Sequence, residues 1–465
     1  MSRYCLPALM LLVFNAGCVS VPEGAGFESL RKNVSERTVT SLDWPGVTIA
    51  ETEAEDRIQT LLRAPLTEAA AIEIAILNSP AIQAVYFELE AAAGEYTDRA
   101  ALPNPFVSAM VLNVEDAPVT NLSYGLGIDL LDILFASRRI SAAGLRFEAE
   151  QAEAAAALVD YISDVRVAYY NAVAATQISN LMASASEAAH ASADVAQALF
   201  DAGNIAQINL DREKLLAAEI EFDAMRARTE LNAARLHLNA MTGLVGSDAS
   251  NWVLAGRLQN PPRQLVLEPV KVDENLYLIA NDARIDEAGA LIGLVSASSL
   301  IGEPELEVEL ERDHGEWENG VGVAFELPVF NWGEGRRRAA RAQLAAMIQQ
   351  RLANHAQLES EAQSLTSEFD TARQIALLYR AEVLPLAGRV LQGAQLDYNA
   401  MQIGTMALLD AKREQLAAGR NYVRALQHYW VLKARYDQLA AGGAARSGVE
   451  TRSDQSGRSV EREGH

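Results

Sequence analysis

The sequence predicts a mainly α protein with a small transmembrane β-barrel contribution: an internally duplicated, long-helix coiled coil plus four short strands. Three observations carry that expectation. Two helical patterns are unusually long: about residues 141–199, with no proline and one glycine, and about 333–398, containing Pro385. Pairs of strand-length segments, within 106–130 and 305–327, precede them. The two halves also align at a nearly constant offset. Asp129-Leu130-Leu131 matches Glu326-Leu327-Pro328 at 197 residues. Phe200, Ala202, Ile205 and Leu210 match Tyr398, Ala400, Ile403 and Leu408 at 198, and Pro105 matches Pro304 at 199. Self-similarity of this kind marks one supersecondary unit used twice.

Composition narrows the classes. The 465 residues are 50% apolar, and Lys+Arg 39 against Asp+Glu 62 gives a net charge of −23. Nucleic-acid binding needs cationic surface to displace phosphate counterions, so that class is excluded. Only 6% of residues are aromatic, which suits closely packed, alanine-rich helices better than a sheet sandwich. Collagen-like, disulfide-knot and wholly disordered chains are excluded as well.

The N-terminus reads as an export signal over residues 1–17. A short positive start, Met1 to Arg3, precedes the apolar residues 4–14, and Asn15-Ala16-Gly17-Cys18 ends the segment with small residues. Eleven apolar residues fall short of the roughly 20 that a permanent helical span requires. Cleavage before Cys18 removes Cys5 and leaves one thiol, so no internal disulfide forms. The segment resembles a lipobox, which implies lipid attachment at Cys18, and Val19 resembles the residue that directs such proteins to an outer membrane. Residues 18–64 read as a lipidated extended segment, with Pro22, Pro45 and the acidic run Glu51 to Asp56.

Thr67 and Glu68 open a helix over about 66–100, and Pro80 predicts a kink or a short break because its missing N–H removes a rung of the ladder. Pro103 and Pro105 end it. Segments 106–114 and 121–130 then read as strands joined by Glu115-Asp116-Ala117-Pro118. The second alternates Leu122, Tyr124, Leu126, Ile128 and Leu130 with Asn121, Ser123, Gly125, Gly127 and Asp129. A helix over 141–199 would extend roughly 90 Å at 1.5 Å per residue. A lone hairpin cannot keep one face dry over that length, so these helices need neighbours. Residues 200–204 break the helix, with Gly203 at a left-handed cap position, and a second helix fills about 206–241. A linker with Pro261-Pro262 occupies 244–272.

The second half repeats this order over 273–441. A helix covers about 273–296, strands cover 305–311 and 319–327, and helices cover about 333–398 and 405–440. Glu305, Glu307, Glu309 and Glu311 alternate with Leu306, Val308 and Leu310. In an exported protein this fits apolar residues facing lipid and carboxylates facing a wet lumen. Four strands cannot close a transmembrane barrel, and hydrocarbon forbids open edges. The barrel must be shared, and three copies give twelve strands. Residues 442–465 read as a disordered tail.

Catalytic chemistry is not indicated. The six histidines are scattered, and neither a zinc-type pair nor a nucleophile elbow nor a P-loop is present. No cofactor or metal site is expected. Charge placement says more. Arg138-Arg139 and Arg336-Arg337-Arg338 follow the second strand of each half, where lipid phosphates or acidic helix neighbours would meet them. Asp211 and Asp410 sit within about two turns of the helix tips, and a symmetric ring of such carboxylates would favour cations.

Taken together, these stretches resemble the TolC-like outer-membrane efflux protein family, in the lipoprotein branch that serves three-part, RND-type efflux systems. The resemblance covers about residues 66–441. It rests on Leu66-Thr67-Glu68-Ala69-Ala70 with Asn78-Ser79-Pro80, Leu102-Pro103-Asn104-Pro105, Asp129-Leu130-Leu131-Asp132, Phe200-Asp201-Ala202-Gly203, Val383-Leu384-Pro385, and Tyr398 through Asp410. It implies a homotrimer with a 12-stranded barrel in the outer membrane and an α-helical barrel across the periplasm. The implied partners are a periplasmic adaptor, an inner-membrane pump of the RND type and outer-membrane lipid, with no nucleic acid. Family aspartates that narrow the entrance map to Asp410 and to position 407, which here is Ala407. The first-half equivalents are Asn209 and Arg212, so the aperture candidates are Asp410, Asp211 and Asn209. Adaptor contacts are implied at Gly203, Asn204, Gly404 and Thr405. Met401 stands where the first tip has Gly203, which implies grooves of different shape. The alternatives are a conduit for type I protein secretion and a structural periplasmic coiled-coil lipoprotein.

Overall fold

The computed structural model describes residues 24–38, 40–113, 120–129, 133–265, 267, 269–301, 305–313, 316–324 and 332–444. Cys18, the 115–118 turn, Leu130 to Asp132, Pro304, Phe325 to Pro328 and the chain from 445 onward lie outside them. The first half runs α1 (Phe27–Thr38), α2 (Glu51–Arg63), α3 (Glu68–Asn78), α4 (Pro80–Ala100), β1 (Phe106–Asn113), β2 (Thr120–Asp129), α5 (Ala136–Asp201) and α6 (Gln207–Thr242). The second runs α7 (Leu276–Ile301), β3 (Glu305–Asp313), β4 (Glu316–Ala324), α8 (Glu334–Leu378), a π-turn (Tyr379–Val383), α9 (Leu384–Asn399) and α10 (Thr405–Ala440). Among the described residues no single helix is long and apolar enough to cross a membrane.

The breaks have local causes. Thr67 caps α3 by accepting the Ala70 N–H at 3.2 Å. The 66–100 helix is two helices, because the chain leaves helical geometry at Ser79 immediately before Pro80. Pro385 acts differently. Its ring would press on the carbonyl four residues back, and the helix widens into the π-turn, where the Leu384 N–H bonds the Tyr379 carbonyl.

Three sequence expectations need correction. The segment read as extended before residue 64 contains α1 and α2. α1 buries Phe27, Leu30 and Val34, and α2 buries Ala54 and Ile58, so each has only a sparse apolar stripe. The acidic run that looked irregular is the first turns of α2, where Glu51 and Glu53 meet the positive end of the helix dipole. β4 starts at Glu316, three residues before the predicted 319, because Glu316, Trp317 and Glu318 pair with Asp313, Arg312 and Glu311. That pairing extends β3 to Asp313 as well. The tail does not begin at 442: Gly443 accepts from Asn275 Nδ2 at 2.8 Å, and the Ala444 N–H bonds Asp160 Oδ1 at 2.8 Å. The 244–272 linker packs back on the second unit, with a parallel bridge between Leu66 and Leu254 and Trp252 buried.

The chain forms two compact units. One comprises residues 1–33, 85–155 and 276–356, the other 34–84, 156–275 and 357–465. In the first unit all four strands form one antiparallel sheet, ordered β1-β2-β3-β4. The β2–β3 register, from Leu122↔Arg312 to Asp129↔Glu305, therefore joins the strands of the two halves. Its helices pack through Phe27 edge-on to Tyr86 (5.1 Å) and Tyr96 stacked on Phe147 (5.6 Å). Ala149, Ala152 and Ala280 allow close approach between α5 and α7. Arg284 then pairs with Glu153 at 2.6 Å and Glu150 at 3.3 Å along the same contact.

In the second unit, alanine and β-branched residues of α5, such as Ala156, Val159, Ile162 and Val165, are buried. An aromatic cluster forms where Phe369 of α8 stacks on Tyr429 (5.1 Å) and Tyr436 (5.7 Å) of α10. Near α3, Glu68 accepts from Tyr170 Oη at 2.5 Å and pairs with Arg166 at 3.1 Å. Burial and that carboxylate push the Tyr170 phenol far above its ordinary range, so it stays a proton donor.

Candidate functional site

Two regions hold the sequence-predicted residues, and each lies within one unit. The helix tips belong to the second. α5 ends at Asp201; Gly203 adopts φ 76°, the Gly203 N–H bonds the Phe200 carbonyl at 2.8 Å, and the Asn204 N–H bonds Leu199 at 2.8 Å. These are the paired bonds of a left-handed helix cap. The second tip repeats them 198 residues later. Met401 adopts φ 57°, its N–H bonds Tyr398 at 3.0 Å, and the Gln402 N–H bonds Asp397 at 2.8 Å. The next helices start alike, with the Asn209 N–H on the Ala206 carbonyl at 2.9 Å and the Ala407 N–H on Gly404 at 3.1 Å.

The two tips thus share a backbone, and the expected difference between Gly203 and Met401 resides in the side chain, which is 93% exposed. A non-glycine residue costs about 1–2 kcal/mol in this conformation. Met401→Gly is expected to stabilise the protein by about 0.5–1 kcal/mol, part of the relief being offset by the freer unfolded chain. A thermal melt of the variant at or below the wild-type midpoint would contradict this.

Among the adaptor candidates, Gly203, Asn204 and Gly404 are exposed, and Thr405 is half-buried. Asp211 is exposed and accepts from Gln207 Nε2 at 2.7 Å, while Asn209 is half-buried. Asp410 is exposed and stands 3.6 Å from Arg413.

Arg413 is the residue that sequence reasoning missed. It also pairs with Glu219 of α6 at 2.8 Å, so one guanidinium ties α10 to α6 and faces the predicted gate carboxylate. Further along, Arg420 bonds Asp223 at 3.1 Å. Lys412 donates to Ser192 Oγ at 3.3 Å, which in turn donates to the buried Glu213 at 3.0 Å, linking α10, α5 and α6. Nothing in the sequence pairs residues some two hundred positions apart. Only the i, i+3 spacing of Asp410 and Arg413 was visible.

The sheet is the second region. Register places Glu307, Glu309 and Glu311 on one side with Ser123, Gly125, Gly127, Gly320 and Gly322. Glu305 pairs with Asp129 and Ala324 in the same rows. Ser108 and Ser123 donate to Glu307 (3.2 Å) and Glu309 (2.5 Å). The glycines make room for these groups: a Cβ on Gly125 would run into Ser108 and the Glu307 carboxylate, and one on Gly127 into the Phe106 ring. The opposite side carries Val107, Val111, Leu126, Val308, Leu310, Val321 and Val323, all large and exposed. One face is acidic and hydrogen-bonding, with Phe106 and Met110 of β1 beside it, and the other is apolar and uncovered.

Of the basic clusters, Arg138 lies over the Phe135 ring at 5.9 Å and Arg139 bonds the Ala101 carbonyl at 2.8 Å. His190 stands 3.4 Å from Glu221. No group of three or more potential metal ligands occurs among the described residues.

No family model matches the chain. In sequence it is similar to the cobalt-zinc-cadmium resistance protein CzcC of Cupriavidus metallidurans, at 25% identity over 383 residues, or 81% of this chain and 90% of that protein. In structure it is similar to a membrane protein of Pseudomonas aeruginosa, with TM-score 0.70 and 17% identity, covering 80% of this chain and 92% of that one. The Campylobacter jejuni CmeC outer membrane channel matches at TM-score 0.70 and 15% identity, covering 87% and 92%. The Vibrio cholerae outer membrane protein VceC matches at 0.68 and 17%, covering 82% and 97%. The arrangement of long helices with a small antiparallel sheet is therefore the fold of these outer-membrane proteins over most of its length.

Proposed function

We propose that the chain is a TolC-like outer-membrane efflux channel, three copies of which join their sheets into one 12-stranded barrel through which cargo leaves the cell. The sheet carries this reading. Its outer strands β1 and β4 are each paired on one side only, and its apolar face is uncovered. In hydrocarbon every backbone group must be paired, so neighbouring copies have to close the edges. Two copies would give an eight-stranded barrel, whose interior side chains fill; three leave a wet lumen lined by the acidic face.

The remaining parts follow from that placement. The long helices extend into the periplasm as a shared helical barrel, and their tips meet a periplasmic adaptor. An inner-membrane pump of the RND type supplies the energy in this reading. Lipidation at Cys18 would anchor the N-terminus in the same membrane. The cargo is cationic in this reading, supported by the acidic wall and by the name of the relative in Cupriavidus metallidurans.

The test is the size and conductance of the detergent-purified protein in planar bilayers. A trimer that opens a wide pore supports the proposal, and a water-soluble monomer defeats it. The Glu307→Gln/Glu309→Gln double variant is expected to lower the cation-to-anion permeability ratio severalfold while pore size stays the same. Unchanged reversal potentials in a salt gradient would remove the acidic wall as the selectivity element.

A further inference from the structure

We infer that the hairpin end of the apolar sheet face binds the phosphate of an outer-leaflet glycolipid of the lipid A type, through Arg312, Trp317 and Tyr124. The inference rests on the membrane placement proposed above. Register puts Leu122, Arg312 and Trp317 in one row, on the β2, β3 and β4 strands, next to the β3–β4 turn. Tyr124 lies one row further in, and its ring reaches over β3 to stack on Trp317, with centroids 6.4 Å apart and planes at 25°. The Arg312 guanidinium lies 5.9 Å from the Trp317 ring centroid. All three side chains are exposed, Tyr124 by 44% and Trp317 by 56%.

The chemistry of that row selects the partner. Along the rest of this face the positions are Val, Leu, Ile, Ala, Tyr, Thr and Asn, so Arg312 is its single charge among the described strand residues. An exposed arginine at the end of an apolar band, on an aromatic platform, is placed where hydrocarbon gives way to head groups. The guanidinium matches phosphate oxygens bidentately, which a lysine or an amide could not reproduce. The carboxylates Glu311 and Glu318 face the other side of the sheet, so they do not occupy it. The hairpin end is the end remote from the long helices in chain order, hence the outer leaflet, where the phosphorylated glycolipid resides.

The experiment is native mass spectrometry of the intact, detergent-purified protein with three added lipids: bis-phosphorylated lipid A, its enzymatically dephosphorylated form, and phosphatidylglycerol. Wild type is expected to retain lipid A about tenfold better than Arg312→Gln. The two proteins should retain the dephosphorylated form equally, and Trp317→Leu should fall between. Equal retention of lipid A by wild type and Arg312→Gln overturns the inference. Phosphatidylglycerol retained as well as lipid A also overturns it, in favour of a general anionic-lipid contact. Bilayer conductance of the same samples separates the two readings: conducting Arg312→Gln trimers with unaltered lipid A retention defeat this site alone, whereas wild-type protein that forms no channel defeats the channel reading as well.

Discussion

Arg413→Glu is expected to shift the channel toward its open state, raising the mean conductance of reconstituted trimers far more than Asp410→Ala does. The guanidinium bonds Glu219 on α6 at 2.8 Å and faces Asp410 at 3.6 Å, so reversal puts three carboxylates where one cation had held two. Both partners of the Glu219 pair are about half exposed in their side chains, 39% and 51%, so the pair itself contributes only about 0.5–1 kcal/mol per protomer. Three symmetric copies acting on one aperture sum to about 1.5–3 kcal/mol, or about 10- to 160-fold in the open-to-closed ratio. Asp410→Ala removes only the longer contact. Its effect should be on selectivity, lowering the preference for cations, with little change in opening. The Glu219→Arg/Arg413→Glu double swap should restore the wild-type conductance. If Arg413→Glu leaves single-channel records unchanged, the tie between α6 and α10 has no role in gating.

Phe369→Ala carries the largest expected cost in stability. Phe369 is fully buried and stacks on Tyr429 and Tyr436, seven residues apart on one face of α10. The neighbouring buried residues of this contact are smaller, such as Ala362, Leu365, Ala372 and Leu432, whereas losing an entire ring here would leave a cavity. The loss should be about 3–5 kcal/mol, including the aromatic contacts. A thermal melt of the purified protein should show a clearly lower midpoint, with Phe369→Leu falling less than half as far. An Ala variant melting with the wild type would mean that the α8–α10 contact is not held by this stack.

The two results depend on different kinds of information. Tyr429 and Tyr436 stand seven residues apart, a helical spacing that puts them on one face of α10, but nothing in the sequence joins them to Phe369 on α8. Arg413 and Glu219 gave no sign of each other, because an ion pair between helices follows from their axial register, and register is a property of the packed bundle. The N-terminal helices α1 and α2 escaped for another reason. With two or three buried residues each, their periodicity falls below what a window of sequence can separate from loop, and tertiary contacts such as Arg37 on the Glu274 carbonyl (2.9 Å) hold them. β4 was placed late because Glu316-Trp317-Glu318 does not continue the glycine-apolar alternation. Those residues are strand because β3 offers them partners.

The sequence by itself determined the long helices, the proline break at 80, the two-faced strands and the repeat, since each is written in local periodicity or in the backbone demands of one residue; the widened turn before Pro385 was seen only in the structure. It also determined that Gly203 and Met401 occupy equivalent tips, because the offset of 198 aligns them. Tertiary structure alone decided that β2 pairs with β3 to merge the two halves into one sheet, that Met401 accepts a left-handed backbone, and that Arg413 lies between Glu219 and Asp410. Those outcomes are set by free energies shared between segments far apart in the chain, and a local pattern carries no record of a partner it has yet to meet.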